Sequence, residues 1–164
     1  MKNIVNYGII KKTEGCDMDY NELTVKLRAL IEGVPHMIAN LSNASALLYN
    51  TLPDINWAGF YLYEGGKLVL GPFQGKPACI EIELGRGVCG TAAYKDELQL
   101  VYDVHEFPGH IACDPDSRSE IVIPIHKNGE IFGVLDIDSQ FKNRFDEDDA
   151  EGLSAFVREL ERII

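Results

Sequence analysis

Among the residues of this sequence that can do chemistry, Cys113 has the most unusual neighbours. It lies in HIACDPDSRSEIVIPI (residues 110–125), where Asp114 and Asp116 follow it in a segment that leads into an apolar stretch. Nearby carboxylates disfavour a thiolate, so they raise the pKa of a thiol and reduce its nucleophilicity. Cys113 is therefore either an inert thiol or one whose chemistry also requires an acid close by.

Three further cysteines are present, and two of them lie with Cys113 in the part of the chain that holds the predicted strands. Cys79 lies in ACIEIEL, which alternates like a strand, and Cys89 lies in GVCG at the start of a predicted helix. A helix start offers free N–H groups and a dipole that can lower the pKa of a thiol. A cysteine that becomes a sulfenic acid needs a second thiol to release it as a disulfide. The set is thus either buried packing or a redox system, and Cys16 lies apart from it with no assigned role.

The segment GVLDIDS supplies two carboxylates, Asp136 and Asp138, which point to the same face if the segment is a strand. Two carboxyl groups side by side resist ionising together, so one pKa rises and that group can act as a general acid. Glu120 begins the partner strand, and pairing through Asn128-Gly129 brings it close to Asp136 or Asp138. The alternative is a strand end in solvent, where two aspartates cost little.

An aromatic pair lies on a neighbouring predicted strand. In NWAGFYLY, Trp57 and Tyr61 share one face, and Tyr63 continues it, whereas Phe60 points to the other face. Such a wall can line a pocket for an apolar or cationic group. Plain core packing explains an aromatic stripe equally well.

Metal and phosphate sites find little support in the sequence. The cysteines have neither CxxC spacing nor a zinc signature, and the glycine-rich GRGVCG lacks the lysine and Ser/Thr of a P-loop. A looser set of candidate ligands fits no standard site, so we predict no metal. That set consists of His105, Glu106, His110, Cys113 and Asp114.

The elements that must position these residues follow from periodicity and turn signals. The order is helix, helix, a run of strands with one small helix, then helix, which is typical of an α+β protein with a largely antiparallel sheet. Residues 1–18 are predicted as an N-terminal arm. The predicted helices are 19–33, 35–50 with Pro35 in the first turn, and a C-terminal helix capped by Asp146, and 85–97 is predicted as a glycine-rich turn that opens a short helix. The predicted strands are two hairpins over 55–73 and 120–139 and single strands at 78–84 and 98–104.

Bulk composition limits the function further. The chain has 164 residues and a formal net charge of −11, which argues against nucleic-acid binding and against docking on an anionic membrane. The N-terminus resembles no signal peptide, and no run approaches the length of a membrane span. We therefore expect a cytoplasmic protein whose cysteines rest as thiols.

Taken together, NWAGFYLY, GPFQGKPACIEIELGRGVCGTAA, HIACDPDSRSEIVIPI and GVLDIDS resemble a GAF domain, and more closely the free methionine-(R)-sulfoxide reductases. The resemblance runs from about residue 20 to the end and implies a single GAF domain over 1–164. The implied fold is a mostly antiparallel sheet of about six strands with helices packed against it.

The resemblance also implies a reaction and a set of roles. Free L-methionine (R)-sulfoxide is reduced, with Cys113 as nucleophile, Cys79 or Cys89 as the resolving thiol, and Glu120 or Asp138 as the acid. Substrate is expected to bind through Glu120, Asp136, Asp138 and the aromatic pair Trp57 and Tyr61. No bound cofactor is implied. Thioredoxin supplies electrons that come from NADPH through thioredoxin reductase, and a homodimer is expected.

Two rival functions remain. The first is a GAF module that senses a small ligand, such as a cyclic nucleotide, without catalysis; NRFDEDD loosely resembles a motif of such domains. A sensor has no need of three cysteines in this pattern. The second rival is a different thiol enzyme on the same fold.

Overall fold

The structure is a computed structural model of the chain, and it describes residues 18–109 and 114–164. Within these residues, six strands form one sheet and four α-helices pack against it. The sheet has the order β3-β2-β1-β6-β5-β4, and every neighbouring pair is antiparallel. The strands are β1 (Trp57–Glu64), β2 (Lys67–Gly75), β3 (Glu81–Glu83), β4 (Gln99–Val101), β5 (Ser119–Lys127) and β6 (Glu130–Ser139); the helices are α1 (Tyr20–Ile31), α2 (Met37–Thr51), α3 (Gly87–Lys95) and α4 (Glu147–Glu161).

The sheet separates two buried clusters. One face packs against α1, α2 and α4, and it takes Ala58 and Phe60 from β1 and Leu135 and Ile137 from β6. The other face packs against α3. The cluster between them includes Trp57, Tyr61, Val122 and Val134 from the strands and Cys89 from α3. Because side chains alternate along a strand, the central strands β1, β5 and β6 contribute side chains to both clusters. The predicted α+β fold, with a mostly antiparallel sheet of about six strands and helices packed against it, is confirmed.

Helix boundaries follow capping chemistry. Asp146 accepts from the backbone N–H groups of Asp148 and Asp149, and the Asp149 side chain accepts from the N–H of Asp146, which completes a capping box at the start of α4. Asp19 caps α1 by accepting from Glu22. The prediction that Pro35 lies in the first turn of α2 is wrong, since the helix begins at Met37.

Two single strands are shorter than predicted. β3 covers only Glu81–Glu83, because it pairs with β2 at three positions and the Ile80 carbonyl then accepts from Leu70 N–H as the pairing ends. Cys79 therefore lies before the strand and not on it. β4 is also only three residues long. The two hairpin turns agree with the sequence, and Asn128 and Gly129 both have positive φ, as a tight turn between β5 and β6 requires.

One glycine on β1 shapes the sheet surface. A Cβ at Gly59 would lie 2.6 Å from the Trp57 ring and would also collide with Phe73 on β2. The missing side chain therefore leaves room for the indole of Trp57 beside Phe73 on this face of the sheet. Among the described residues, no helix has both the length and the apolar character needed to cross a membrane.

Candidate active site

Three neighbouring strands bring the predicted acidic residues together. Glu120 on β5 lies directly opposite Asp138 on β6, and Asp138 lies opposite Trp57 on β1. Asp136 faces the same side as Asp138, two residues earlier and opposite Gly59. The predicted convergence of three carboxylates is therefore confirmed. Glu120 and Asp136 are buried, so the alternative of a strand end in solvent is wrong.

These carboxylates line a pocket with a cavity volume of about 40 Å³ between the sheet and α3. Trp57 and Tyr61 form its aromatic wall, and Cys89, Arg86 and Gly87 border it from the start of α3. The pocket thus combines an apolar side with an acidic floor, which consists of Glu120, Asp136 and Asp138. This combination suits a ligand that has both an apolar end and a cationic group.

The aromatic wall is held by stacking and by two hydrogen bonds. The Trp57 ring stacks on Tyr61 with 5.9 Å between centroids, and on Phe73 at 5.2 Å. Trp57 Nε1 donates to the Lys76 carbonyl oxygen at 3.1 Å, and the Tyr61 hydroxyl donates to the Cys79 carbonyl oxygen at 3.0 Å. The wall therefore also fixes the segment that leads into β3. Tyr63 is 44% exposed and does not extend the wall.

Burial keeps the acidic floor largely protonated. Burial raises the pKa of Glu120 well above its usual range, and the charges of Asp136 and Asp138 raise it further. Burial, followed by the charge of Asp136, does the same to Asp138. Asp136 differs, because hydrogen bonds with Cys89 and Glu120 offset burial and its pKa rises only to about 7. Asp136 is thus the first of the three to carry a negative charge, while Glu120 and Asp138 hold protons.

The cysteines differ in environment. Cys89 lies in the first turn of α3, is buried, and donates its thiol to Glu120 Oε1 at 3.8 Å. Burial, with the charges of Asp136 and Glu120, raises its pKa well above the usual value. The expectation of a lowered pKa at a helix start is therefore wrong, since desolvation exceeds the helix dipole here. Cys79 is disulfide-bonded. Cys113 and Cys16 lie outside the described residues.

A turn at residues 114–117 forms one edge of the pocket and was missed in the sequence. Asn56 Nδ2 donates to Asp114 Oδ2 at 3.1 Å and to Ser117 Oγ at 3.2 Å, and Ser117 donates to Asp138. Lys76 Nζ pairs with Asp116 at 2.5 Å and reaches Asp114 at 3.4 Å. Burial would raise the pKa of Asp114, but hydrogen bonds from the Asp116 backbone, Lys76 and Asn56 lower it. One ionised aspartate therefore stands beside the protonated floor.

Of the candidate metal ligands around His105, the members that lie within the described residues do not form a cluster. His105 Nδ1 lies 3.0 Å from Asp103 Oδ1, and Nε2 lies 3.1 Å from Arg118, both at the surface. Asp114 lies at the pocket edge. His110 and Cys113 fall outside the described residues.

Comparison with known proteins decides the family. Residues 27–164 match the GAF domain family. The free methionine-R-sulfoxide reductase of Escherichia coli is 53% identical over 145 residues, which cover 88% of this chain and 88% of that protein.

The chain belongs to the free methionine-R-sulfoxide reductase family of GAF-domain proteins. Solved structures agree with this assignment. A reduced form of fRMsr of Staphylococcus aureus superposes with a TM-score of 0.87 at 54% identity, covering 90% of this chain and 96% of that one. The same Staphylococcus aureus protein in complex with substrate gives a TM-score of 0.86 at 53% identity, covering 90% and 97%. The pocket described above is the candidate active site of this family member.

Proposed function

We propose that the chain reduces free L-methionine (R)-sulfoxide to L-methionine, with Cys113 as the nucleophile. The observation that carries the proposal is the acidic floor, in which Glu120 and Asp138 hold protons beside an aromatic wall. A sulfoxide is a poor electrophile until its oxygen accepts a proton or a strong hydrogen bond. A neutral buried carboxylic acid supplies that proton near neutral pH.

The chemistry proceeds through two thiols. Cys113 sulfur attacks the sulfoxide sulfur while Glu120 or Asp138 protonates the oxygen, and the thiol proton of Cys113 replaces the one that the acid gives up. The hydroxyl then moves from the substrate sulfur to Cys113 sulfur as the transient S–S bond breaks, which gives methionine and a sulfenic acid on Cys113. The Cys79 thiol then attacks that sulfur and releases water, which leaves a disulfide. The disulfide-bonded state of Cys79 in the structure supports its assignment as the resolving thiol. Cys89, buried against Glu120, serves as a second thiol that receives the disulfide.

The free amino-acid ends of the substrate explain the remaining polar groups. Asp136 is the carboxylate that ionises first, so it is the natural partner of the substrate ammonium. Among the described residues, no side chain caps the first turn of α3, and that turn has no acidic residue. Its N–H groups at Gly87–Cys89 are therefore available to the substrate carboxylate, together with Arg86. The S-methyl group packs on Trp57 and Tyr61 through apolar and sulfur–aromatic contacts.

The partners in this proposal are thioredoxin and a second copy of the chain. Thioredoxin reduces the disulfide with electrons that come from NADPH through thioredoxin reductase, so no bound cofactor is needed. A cytoplasmic setting suits that electron supply. Sedimentation of the purified protein tests the homodimer, because a monomer at micromolar concentration would contradict it.

A coupled assay tests the reaction. The protein, thioredoxin, thioredoxin reductase and NADPH are mixed with free Met-(R)-sulfoxide, with the (S) epimer, or with a peptide that contains Met-sulfoxide. We expect NADPH oxidation with the first substrate alone, loss of turnover in Cys113→Ser, and full turnover in the control Cys16→Ser. Ligand binding without NADPH oxidation would favour the sensor instead, and no loss in Cys113→Ser would remove Cys113 from the mechanism.

A further inference from the structure

Three side chains of the acidic floor place possible metal ligands within one small volume. Cys89 Sγ and one carboxylate oxygen each from Glu120 and Asp136 lie within 4.8 Å of one another, and all three residues are buried. Ligands around a tetrahedral Zn²⁺ with bonds of about 2.0–2.3 Å lie roughly 3.5 Å apart. The Cys89 Sγ–Glu120 Oε1 distance of 3.8 Å is already close to that spacing.

A second observation points to a missing ligand in the same place. Asp136 is 5% exposed, and its Oδ1 has no hydrogen-bond partner among the described residues. A buried carboxylate oxygen without a donor loses its hydration and gains nothing in return. Because Asp136 lines the pocket, a cation that enters there can supply the missing interaction.

The donor set narrows the kind of cation. One thiol and two carboxylates do not suit Mg²⁺ or Ca²⁺, which prefer oxygen ligands throughout. A sulfur ligand with carboxylate oxygens suits Zn²⁺ and metals of similar softness. The three ligands come from α3, β5 and β6, so the elements of the fold hold them. All three residues line the pocket, so a water molecule in the pocket can complete the coordination, as in zinc sites with three protein ligands.

We propose that the reduced protein binds one Zn²⁺, or a divalent cation of similar softness, through Cys89 Sγ and the carboxylates of Glu120 and Asp136. Binding releases the thiol proton, and any proton on the two carboxyl groups, to solvent. The cation occupies the floor that the substrate ammonium needs under the proposed function. Metal and free methionine sulfoxide therefore compete, and this second statement rests on that proposed function.

Titration with Co²⁺ tests the site without any turnover, because a cobalt–thiolate bond gives a near-ultraviolet charge-transfer band. The starting protein carries Cys16→Ser, Cys79→Ser and Cys113→Ser in the full chain, so Cys89 is its one thiol. We expect one equivalent of Co²⁺ to produce the band and an excess of Zn²⁺ to abolish it. Thermal melts without metal verify that each variant is folded.

Single substitutions in this background identify the ligands. Cys89→Ser should abolish the band, and Asp136→Asn should weaken Co²⁺ binding by about tenfold or more. Glu97→Gln, on an exposed residue, is the matched control and should leave the affinity unchanged. No band in the folded starting protein, or an unchanged affinity in Asp136→Asn, would overturn the proposal.

Competition is measured separately on the starting protein with its three serine substitutions, the triple-serine chain, in which the substrate cannot oxidise the protein through Cys113. Free Met-(R)-sulfoxide at saturating concentration should lower the apparent Zn²⁺ affinity of this chain, read by equilibrium dialysis. Undiminished Zn²⁺ binding would overturn the competition. A cobalt band in the triple-serine chain, together with no reductase turnover by the wild-type chain, would support the metal site and contradict the proposed function. Turnover by the wild-type chain without a cobalt band in the triple-serine chain would support the proposed function and contradict the metal site.

Discussion

The Tyr61 hydroxyl donates a hydrogen bond to the Cys79 carbonyl oxygen across 3.0 Å, which joins the aromatic wall to the segment of the proposed resolving thiol. Tyr61 is 2% exposed, so water does not replace this donor easily. A single side chain thus contacts the pocket with its ring and fixes a cysteine segment with its hydroxyl.

Tyr61→Phe separates these two contributions. The ring remains, so the KM for free methionine sulfoxide should change little. Loss of the bond, with a net value of about 1 kcal/mol, should let the Cys79 segment move and slow disulfide formation several-fold. Quenched-flow measurement of sulfenic acid and disulfide checks this, and accumulation of no additional sulfenic acid would contradict it.

The two protonated carboxyl groups are distinguished by their amide replacements. Glu120→Gln and Asp138→Asn keep the shape of a neutral acid but cannot release a proton. The proton donor should lose about 10²–10⁴-fold in kcat, and the other residue should mainly alter KM. Steady-state kinetics on both variants decides between them. Equal and small effects on kcat would mean that neither group protonates the oxygen.

Asn56 holds the 114–117 turn at the edge of the pocket, although it lies 58 residues from Asp114 in the sequence. Asn56→Ala removes both hydrogen bonds to the 114–117 turn and leaves Asp114 and Ser117 with fewer donors. We expect a loss of about 1–3 kcal/mol in the free energy of unfolding and a raised KM. Asn50→Ala, which removes an exposed bond within α2, is the control. Denaturant unfolding that ranks the two variants equally would contradict this role.

His126 should make stability depend on pH. Partial burial alone would lower its pKa, but hydrogen bonds to Asp96 and Glu161 outweigh burial and raise it. A raised folded-state pKa means that this stabilisation is fully present below the unfolded pKa of about 6.5 and is lost as pH rises through the folded value. The gap in unfolding free energy between wild type and His126→Gln should therefore narrow with rising pH above about 6.5.

Chemical denaturation of both proteins from pH 5 to 9 measures that gap. Asn50→Ala, which removes an exposed bond within α2 and no titratable group, serves as the control, and its difference from wild type should not change with pH. A gap for His126→Gln that stays constant or widens with pH would refute the predicted sign.

The strand pattern of the sequence was sufficient to predict the acidic floor. Alternation places Asp136 and Asp138 on one face, and the Asn128-Gly129 turn fixes the register that sets Glu120 opposite Asp138. Both are local properties of one hairpin. The site geometry followed from the sequence here because neighbours in the sheet are close in the chain.

Other parts of the site depend on long-range packing and could not be predicted in this way. Nothing in residues 114–117 indicates that Asn56 would bind them. The alternating ACIEIEL predicted a strand through Cys79, but β2 offers β3 only three pairing positions. The pKa of the Cys89 thiol was predicted in the wrong direction. The sequence indicates the helix start, but it does not indicate that Cys89 is buried against Glu120.

The two-sided use of the central strands has a consequence for engineering. On β1 and β6, residues that pack against α1, α2 and α4 alternate with residues that face α3 and the pocket. Neighbouring positions on these strands therefore have different roles. Libraries aimed at a different sulfoxide can be restricted to the α3-facing positions. Substitutions there should change substrate range and leave the packing of α1, α2 and α4 on the sheet in place, and their cost in stability should be limited to the second buried cluster.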